Sequence, residues 1–340
     1  MIRWVVKAGA SSLDDLASEE VAVPSPGPGE VRIKMHAVSL NARDQLILSG
    51  NYGKAERDFV ALADGAGEID AFGEGVERWS IGDRVVSLYF GGWPDGPAPN
   101  IQNWGLGSPG EDGVLAEYVV LKADRVAPAP TTLTFEEAAC LPCAALTAWT
   151  SLNGDRPYHR PLRKEDRVLA TGTGGVSLFA LLLAKAAGAE VVVTSSSDDK
   201  AALAVALGAS GTVNYVKSPQ WGEAATRGGR GFDKVVNSAG SGVLDDAIAA
   251  LAPGGEIALM GLFASAESPP NFLALMGKGG SIRGTAVGSA SAYSDMAQFI
   301  DEKGVKPPIA ETFPLTGVKA AYQALASGQC FGKIVIRIVD

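Results

Sequence analysis

The sequence predicts an α/β chain whose middle is a doubly wound, mostly parallel sheet and whose first third is β-rich. Three observations predict it. Residues 168–177, VLATGTGGVS, run an apolar strand into a glycine-rich turn and then into an apolar helix over residues 178–187. From residue 135 to residue 284 helix and strand patterns alternate, and such alternation needs crossover helices and hence parallel strands. Up to about residue 124 the chain instead shows short β-branched runs broken by glycine and proline, the pattern of antiparallel β structure.

In chain order, strands are expected at residues 31–38, 67–69, 84–88 and 116–121, with a rigid proline turn, VPSPGPG, at 23–29. The alternating part supplies strands at 167–170, 190–194, 211–214, 234–237, 256–260 and 281–286. The tail returns to another pattern: a helix near 294–302, a strand near 311–313, a helix near 318–326 and a last strand at 333–339. No repeat or low-complexity tract interrupts this order.

The glycine turn carries the chemistry. Gly172, Thr173, Gly174, Gly175 and Val176 sit between a strand and a helix, where small residues let backbone N–H groups and the positive end of the helix approach a pyrophosphate. A second strand follows Gly188, which completes the strand, turn, helix, strand context of a Rossmann unit. The third position of the glycine pattern is Ser177, which either loosens helix packing slightly or adds a hydroxyl near the phosphates. At the end of the second strand an acidic residue would bind ribose hydroxyls and repel a 2′-phosphate. Here that strand ends in Thr194, Ser195, Ser196 and Ser197, with no carboxylate before Asp198. Ser195, Ser196 and Lys200 are therefore candidate phosphate ligands, and NADP(H) is preferred over NAD(H), with Asp198 and Asp199 arguing the other way. Ser197 also reads as a helix cap, and both readings hold together.

Bulk properties narrow the setting. The 340 residues suffice for two domains, and 46% hydrophobic content allows substantial cores. A formal charge of −9 argues against nucleic acid or an anionic membrane as partner. No apolar run is long enough to span a membrane, and the first residues lack an export pattern, so a cytoplasmic location is expected. Cys140 and Cys143 form a C-x-x-C, but no second pair completes a four-thiolate zinc site, and their helical, apolar setting reads as buried free thiols. His36 and His159 have neither the spacing nor the company for a metal and are read as structural.

Eight segments stand in a familiar order: SLNARDQLILSGNY (39–52), ADGAGEI (63–69), GEGVERWSIGDRV (73–85), DGVLAEYVV (112–120), EEAACLPCAALTAW (136–149), the glycine turn, APGGEIALMG (252–261) and FGKIVI (331–336). Together they resemble the medium-chain dehydrogenase/reductase superfamily and, within it, the zinc-independent quinone oxidoreductase-like enzymes. The resemblance implies a GroES-like β-rich catalytic domain made of residues 1–126 and 291–340, and a Rossmann dinucleotide-binding domain at 127–290. It also implies an active site in the cleft between them and a homodimer formed through the sheet edge near 281–286.

The positions matching the zinc ligands of metal-dependent relatives are Asn41, Ala63 followed by Asp64, and Cys143. One good ligand of three does not make an open zinc site, so no metal is expected. The loop at 89–113, with Phe90, Trp93 and Trp104, replaces the four-cysteine lobe of those relatives and offers aromatic pocket walls. Without a metal, hydrogen-bond donors must stabilise developing charge. By the resemblance Asn41 and Asp44 lie beside the nicotinamide ribose and substrate, although an Asx-type cap on a helix at 45–48 explains the same pair. Tyr52 is the candidate proton donor, and Thr147 matches a threonine near the nicotinamide, with exposure and helix packing as their ordinary alternatives. Further cofactor contacts implied are Tyr215, Asn237, Gly261, Leu262, Phe263, Phe331 and Lys333. The expected activity is hydride transfer between NADP(H) and a small carbonyl, quinone or α,β-unsaturated carbonyl substrate. Reversible alcohol oxidation and a non-catalytic dinucleotide-binding role are the alternatives.

Overall fold

The structure, a computed structural model, describes residues 1–99, 105–156, 160–261 and 263–339. Trp104, His159 and Leu262, singled out above, lie outside the described residues. In chain order the strands are β1 (Ile2–Val6), β2 (Leu16–Glu20), β3 (Glu30–Leu40), β4 (Phe59–Val60), β5 (Asp64–Phe72), β6 (Arg84–Ser87), β7 (Tyr118–Lys122), β8 (Val126–Pro128), β9 (Arg167–Ala170), β10 (Glu190–Ser195), β11 (Gly211–Asn214), β12 (Phe232–Asn237), β13 (Leu251–Leu259), β14 (Ser281–Gly284), β15 (Ile309–Pro314) and β16 (Lys333–Arg337). The helices are α1 (Ala42–Leu48), α2 (Phe135–Ala138), α3 (Leu146–Asn153), α4 (Gly175–Ala186), α5 (Asp198–Leu207), α6 (Trp221–Thr226), α7 (Leu244–Ala250), α8 (Phe272–Gly277), α9 (Ala290–Lys303) and α10 (Val318–Ala326).

The chain divides into two units, Met1–Leu146 with Ser289–Asp340, and Thr147–Gly288. The first division lies later than the expected 126/127, for a packing reason. β8 pairs with β6, and Phe135 of α2 stacks on His36 of β3 with ring centroids 4.1 Å apart, so residues 127–146 belong with the β-rich unit. At the other junction Ala290 N–H donates to the Trp93 carbonyl, which places α9 in the same unit.

In the first unit, among the described residues, β15, β16, β3, β5, β6 and β8 form one sheet in that order, with β7 also on β3. β3 organises it because Val31, Ile33 and Met35 alternate inward against Arg32, Lys34 and His36, the period-two pattern of a half-buried strand. One edge of β3 is shared: residues 30–34 pair with β7 and residues 37–40 pair with β16. A smaller sheet, β2-β1-β4, completes the unit.

In the second unit the six described strands run in the order β11-β10-β9-β12-β13-β14, all parallel. The order reverses between β9 and β12, and ligands collect at the carboxyl ends of strands beside such a switch. Leu169, Val192, Phe232, Val235 and Ile257 of the strands pack against Trp221, Leu244 and Ile248 of α6 and α7 on one face. α4 is buried along most of its length, which its LFALLLA run dictates.

Candidate functional site

The glycine turn leaves β9 through Gly172, whose φ of 80° a β-carbon would strain, and enters α4 at Gly174. Gly174 has an ordinary φ of −81°, and a β-carbon on it would meet nothing within 4 Å. No side chain caps the helix at Gly174, and the first-turn N–H groups have no intrahelical acceptor. Space over the turn and free donors at a helix start are what a dinucleotide pyrophosphate needs. Thr173 and Val176 flank the turn half-buried. Ser177 points away from it: its hydroxyl donates to the Thr171 carbonyl (2.7 Å) and lies 3.0 Å from Ser238 Oγ, which stitches β9 to the end of β12. The serine therefore replaces the third glycine by tightening the packing, and supplies no phosphate hydroxyl.

At the end of β10 the structure separates the serines. Ser195 is buried, with Oγ bonded to both the carbonyl and the N–H of Ser197, so its hydroxyl is not available as the expected phosphate ligand. Ser196 is exposed, Lys200 is half-buried on the first turn of α5, and Tyr215 is 41% exposed. Asp198 accepts from Asn214 Nδ2 and Lys217 Nζ, which hold its carboxyl below the usual range. Sequence reasoning missed Lys217. Its signal was slight, a lysine two residues past an aromatic in a turn. Asn237 is fully buried and closes its own loop, donating to Gly240 O and accepting from the N–H groups of Ala239 and Gly240. Its side chain thus shapes the strand end and is not left over for a cofactor. Gly261 lies against that loop, where a β-carbon would come within 2.4 Å of Ser238, Ala239 and Gly240 backbone atoms. Phe263 beyond it is 58% exposed. Thr147 is buried in α3, where its carbonyl accepts from Ser151 Oγ.

The β-rich unit brings Asn41, Arg43, Asp44, Asp64, Cys143 and Lys333 into one buried polar cluster. Asp44 accepts from the Asn41 backbone N–H at 2.7 Å, so the acidic half of the anticipated cap forms. The reciprocal half of the capping box, from the Asn41 side chain to the Asp44 backbone, is present as well, and Asn41 Oδ1 also accepts from Lys333 Nζ at 2.6 Å. Lys333 also donates to the Leu40 carbonyl (2.6 Å) and stands 3.9 Å from Asp64 Oδ2. At 3% exposure its ammonium is spent on this interior. Phe331, two residues earlier, is half-buried in the same unit. Burial lifts the Asp64 carboxyl to about 6, with Lys333 and the Asn41 amide opposing the rise. Arg43 Nε and Asp44 Oδ1, both buried and without a hydrogen bond, face each other 4.0 Å apart as an ion pair.

Arg43 extends the cluster towards Tyr52. Its guanidinium donates to the carbonyls of Leu106 and Gly107 and lies over the rings of Tyr89 (4.7 Å) and Tyr52 (5.7 Å). The Tyr52 phenol, half-buried, is pushed up by burial and opposed by Arg43 and a hydrogen bond with Tyr89. It is protonated at neutral pH and able to give up a hydrogen bond or a proton. Arg43 and Tyr89 were not foreseen, since an arginine inside an N-x-x-D helix start reads as solvent-facing. Trp93 is buried and its indole N–H is bonded to Gly96 O, so it packs within its loop beside Phe90 and lends no polar edge.

As a metal site the donor set fits poorly. Asn41 offers an amide already taken by an ammonium, Ala63 offers a methyl, and the Cys143 thiol is pushed up to about 12 by burial and Asp64. Cys140 is likewise raised to about 12 and donates to Glu136 O. Neither cysteine forms a disulfide.

Residues 27–131 match the family model of the alcohol dehydrogenase GroES-like domain, and residues 175–302 match that of zinc-binding dehydrogenases. The chain is 40% identical to a zinc-type alcohol dehydrogenase-like protein of Schizosaccharomyces pombe, over 99% of both chains. It is 28% identical to the acryloyl-coenzyme A reductase of Metallosphaera sedula, over 93% of this chain and 95% of that one. The crystal structure of an NAD-dependent alcohol dehydrogenase superposes with a TM-score of 0.85 at 34% identity, covering both chains fully. With both domains matched in order and a relative of this likeness spanning its length, the chain belongs to the medium-chain dehydrogenase/reductase family of oxidoreductases.

Proposed function

We propose that the protein is a zinc-independent, NADP(H)-using reductase of a small carbonyl, quinone or α,β-unsaturated carbonyl compound. The observation that carries this reading is the Lys333 ammonium, which lies against Asn41 and Asp64, positions that the resemblance matches to the zinc site of metal-dependent relatives. A fixed cation and a set of N–H and O–H donors then do the work of a Lewis acid. The nicotinamide, when bound, supplies the hydride. Gly172, Thr173, Gly174, Gly175 and Val176 hold its pyrophosphate, and Ser196, Lys200, Tyr215 and Lys217 surround the adenosine ribose. Asp198 would repel a 2′-phosphate if bare, but Lys217 and Asn214 neutralise and occupy it, which supports NADP(H). Tyr52, protonated beside Arg43, delivers the proton that follows the hydride. The acryloyl-coenzyme A reductase among the relatives supports an activated C=C bond as acceptor.

The test is NADPH and NADH oxidation with a panel of enones, quinones and aldehydes. Turnover with NADPH ahead of NADH is expected, and binding without turnover across the panel overturns the reading. Tyr52→Phe is expected to lower kcat by about 10²-fold with cofactor affinity unchanged; wild-type turnover removes Tyr52 from the reaction. Metal analysis of active protein is expected to find no stoichiometric zinc.

A further inference from the structure

We propose that Arg43 is the positioning residue of the candidate acid, its guanidinium fixed beside the Tyr52 ring to meet the negative charge that forms there when the proton leaves. The inference rests on the reductase reading and adds to it the group that makes Tyr52 an acid. Arg43 is 7% exposed and is held from three sides. Nη1 donates to the Leu106 carbonyl (2.9 Å), Nη2 donates to the Gly107 carbonyl (3.2 Å), and Nε faces Asp44 Oδ1 at 4.0 Å. Asp44 is itself anchored, accepting from the Asn41 backbone N–H at 2.7 Å. A planar fork engaged at each nitrogen has no room to turn. Its place over the Tyr89 ring at 4.7 Å and the Tyr52 ring at 5.7 Å is thereby set before any substrate arrives.

The charge acts when Tyr52 ionises. As hydride reaches the acceptor the Tyr52 O–H bond breaks, the proton passes to the acceptor and the electron pair stays on the phenol oxygen. Solvent returns a proton before the next turnover. A phenolate oxygen only accepts, and two groups answer it: the Arg43 cation through space and the Tyr89 hydroxyl through a hydrogen bond. Tyr89 suits the part of donor, because burial keeps its own proton in place. Burial, Cys143 and Asp44 all act on Tyr52 in the opposite sense. Without a fixed cation a phenol in these surroundings is a poor acid, so the charge that supports proton delivery comes from the same side chain that ties α1 to residues 106 and 107.

The test replaces Tyr52 by 3,5-difluorotyrosine, which ionises nearer neutral pH, and follows its fluorine resonance against pH. Arg43→Met is made together with Asp44→Asn so that no buried charge is left alone. Melting and cofactor fluorescence establish that each variant folds and binds NADPH. In Arg43→Met/Asp44→Asn the midpoint is expected to rise by about one pH unit or more. Arg43→Lys, which keeps the charge, is expected to raise it less, and an equal rise overturns the charge argument. Tyr89→Phe, which removes one hydroxyl and leaves the ring, is expected to raise it as well, and serves if the double variant does not fold. A midpoint that stays put in the folded variants, as a mere tie between α1 and residues 106 and 107 predicts, overturns the proposal. With unmodified Tyr52, kcat of the double variant is expected to fall about tenfold with the NADPH Kd unchanged, and full kcat overturns the role in proton delivery. Should the wild type turn over no substrate, the reductase reading fails while the midpoints still decide whether Arg43 acts on Tyr52.

Discussion

Two glycines two residues apart, Gly172 and Gly174, are held by different constraints. At Gly172 the left-handed φ of 80° is the constraint, so a side chain there costs about 1–2 kcal/mol of stability. At Gly174 the backbone is ordinary and the neighbourhood empty, so alanine is expected to leave the melting temperature unchanged while weakening NADPH binding about tenfold. A fluorescence titration beside a thermal melt separates the two effects, and a loss of stability equal to that of Gly172→Ala refutes the distinction. Asp64 carries a pH signature. Its carboxyl rises from an ordinary 3.8 to about 6 on folding, so its favourable contribution is complete below about pH 4 and is lost as pH rises through 6. Asp64→Asn removes that loss. The unfolding free energy of the variant relative to wild type is expected to improve between pH 4 and 7, and a flat difference in denaturant titrations refutes the assignment.

The elements show where sequence patterns carry information. Strands of the second unit were legible to within two residues at most ends, because apolar runs bounded by glycine leave few other readings, although β13 begins at Leu251, five residues earlier than expected. The β-rich unit was legible as strands but not as pairings: nothing in residues 30–40 says that one edge of β3 serves two partners. The candidate site was legible where a backbone shape is needed, as at the glycine turn. It was illegible where a side chain's direction decides, as with Ser177, Ser195, Asn237 and Lys333, each of which turns inward to a partner distant in sequence or to its own loop. Gly261 illustrates the first kind at element scale. The ends of β12 and β13 approach so closely there that Gly261→Ala forces backbone apart, and a loss of about 2–3 kcal/mol is expected, with hydrogen exchange rising first at residues 238–242. Exchange unchanged over that loop would refute the close-packing argument.

At the scale of the whole molecule, one unit is contiguous and the other is split around it, closed by strands that the chain supplies last. Ser39 on β3 and Ile334 on β16 are hydrogen-bonded across 295 residues of sequence. A ribosome therefore releases β3 long before its partner exists. The half-edge at residues 37–40 waits unpaired, an open template for a neighbouring nascent chain, while everything needed for the parallel sheet of the inserted unit has already emerged. The order of folding thus departs from the order of residues: the inserted parallel-sheet unit is free to fold before the unit that begins ahead of it can close. The polar cluster around Asn41 assembles only when Lys333 arrives, so the chemistry of the site is withheld until well after the inserted unit has been made.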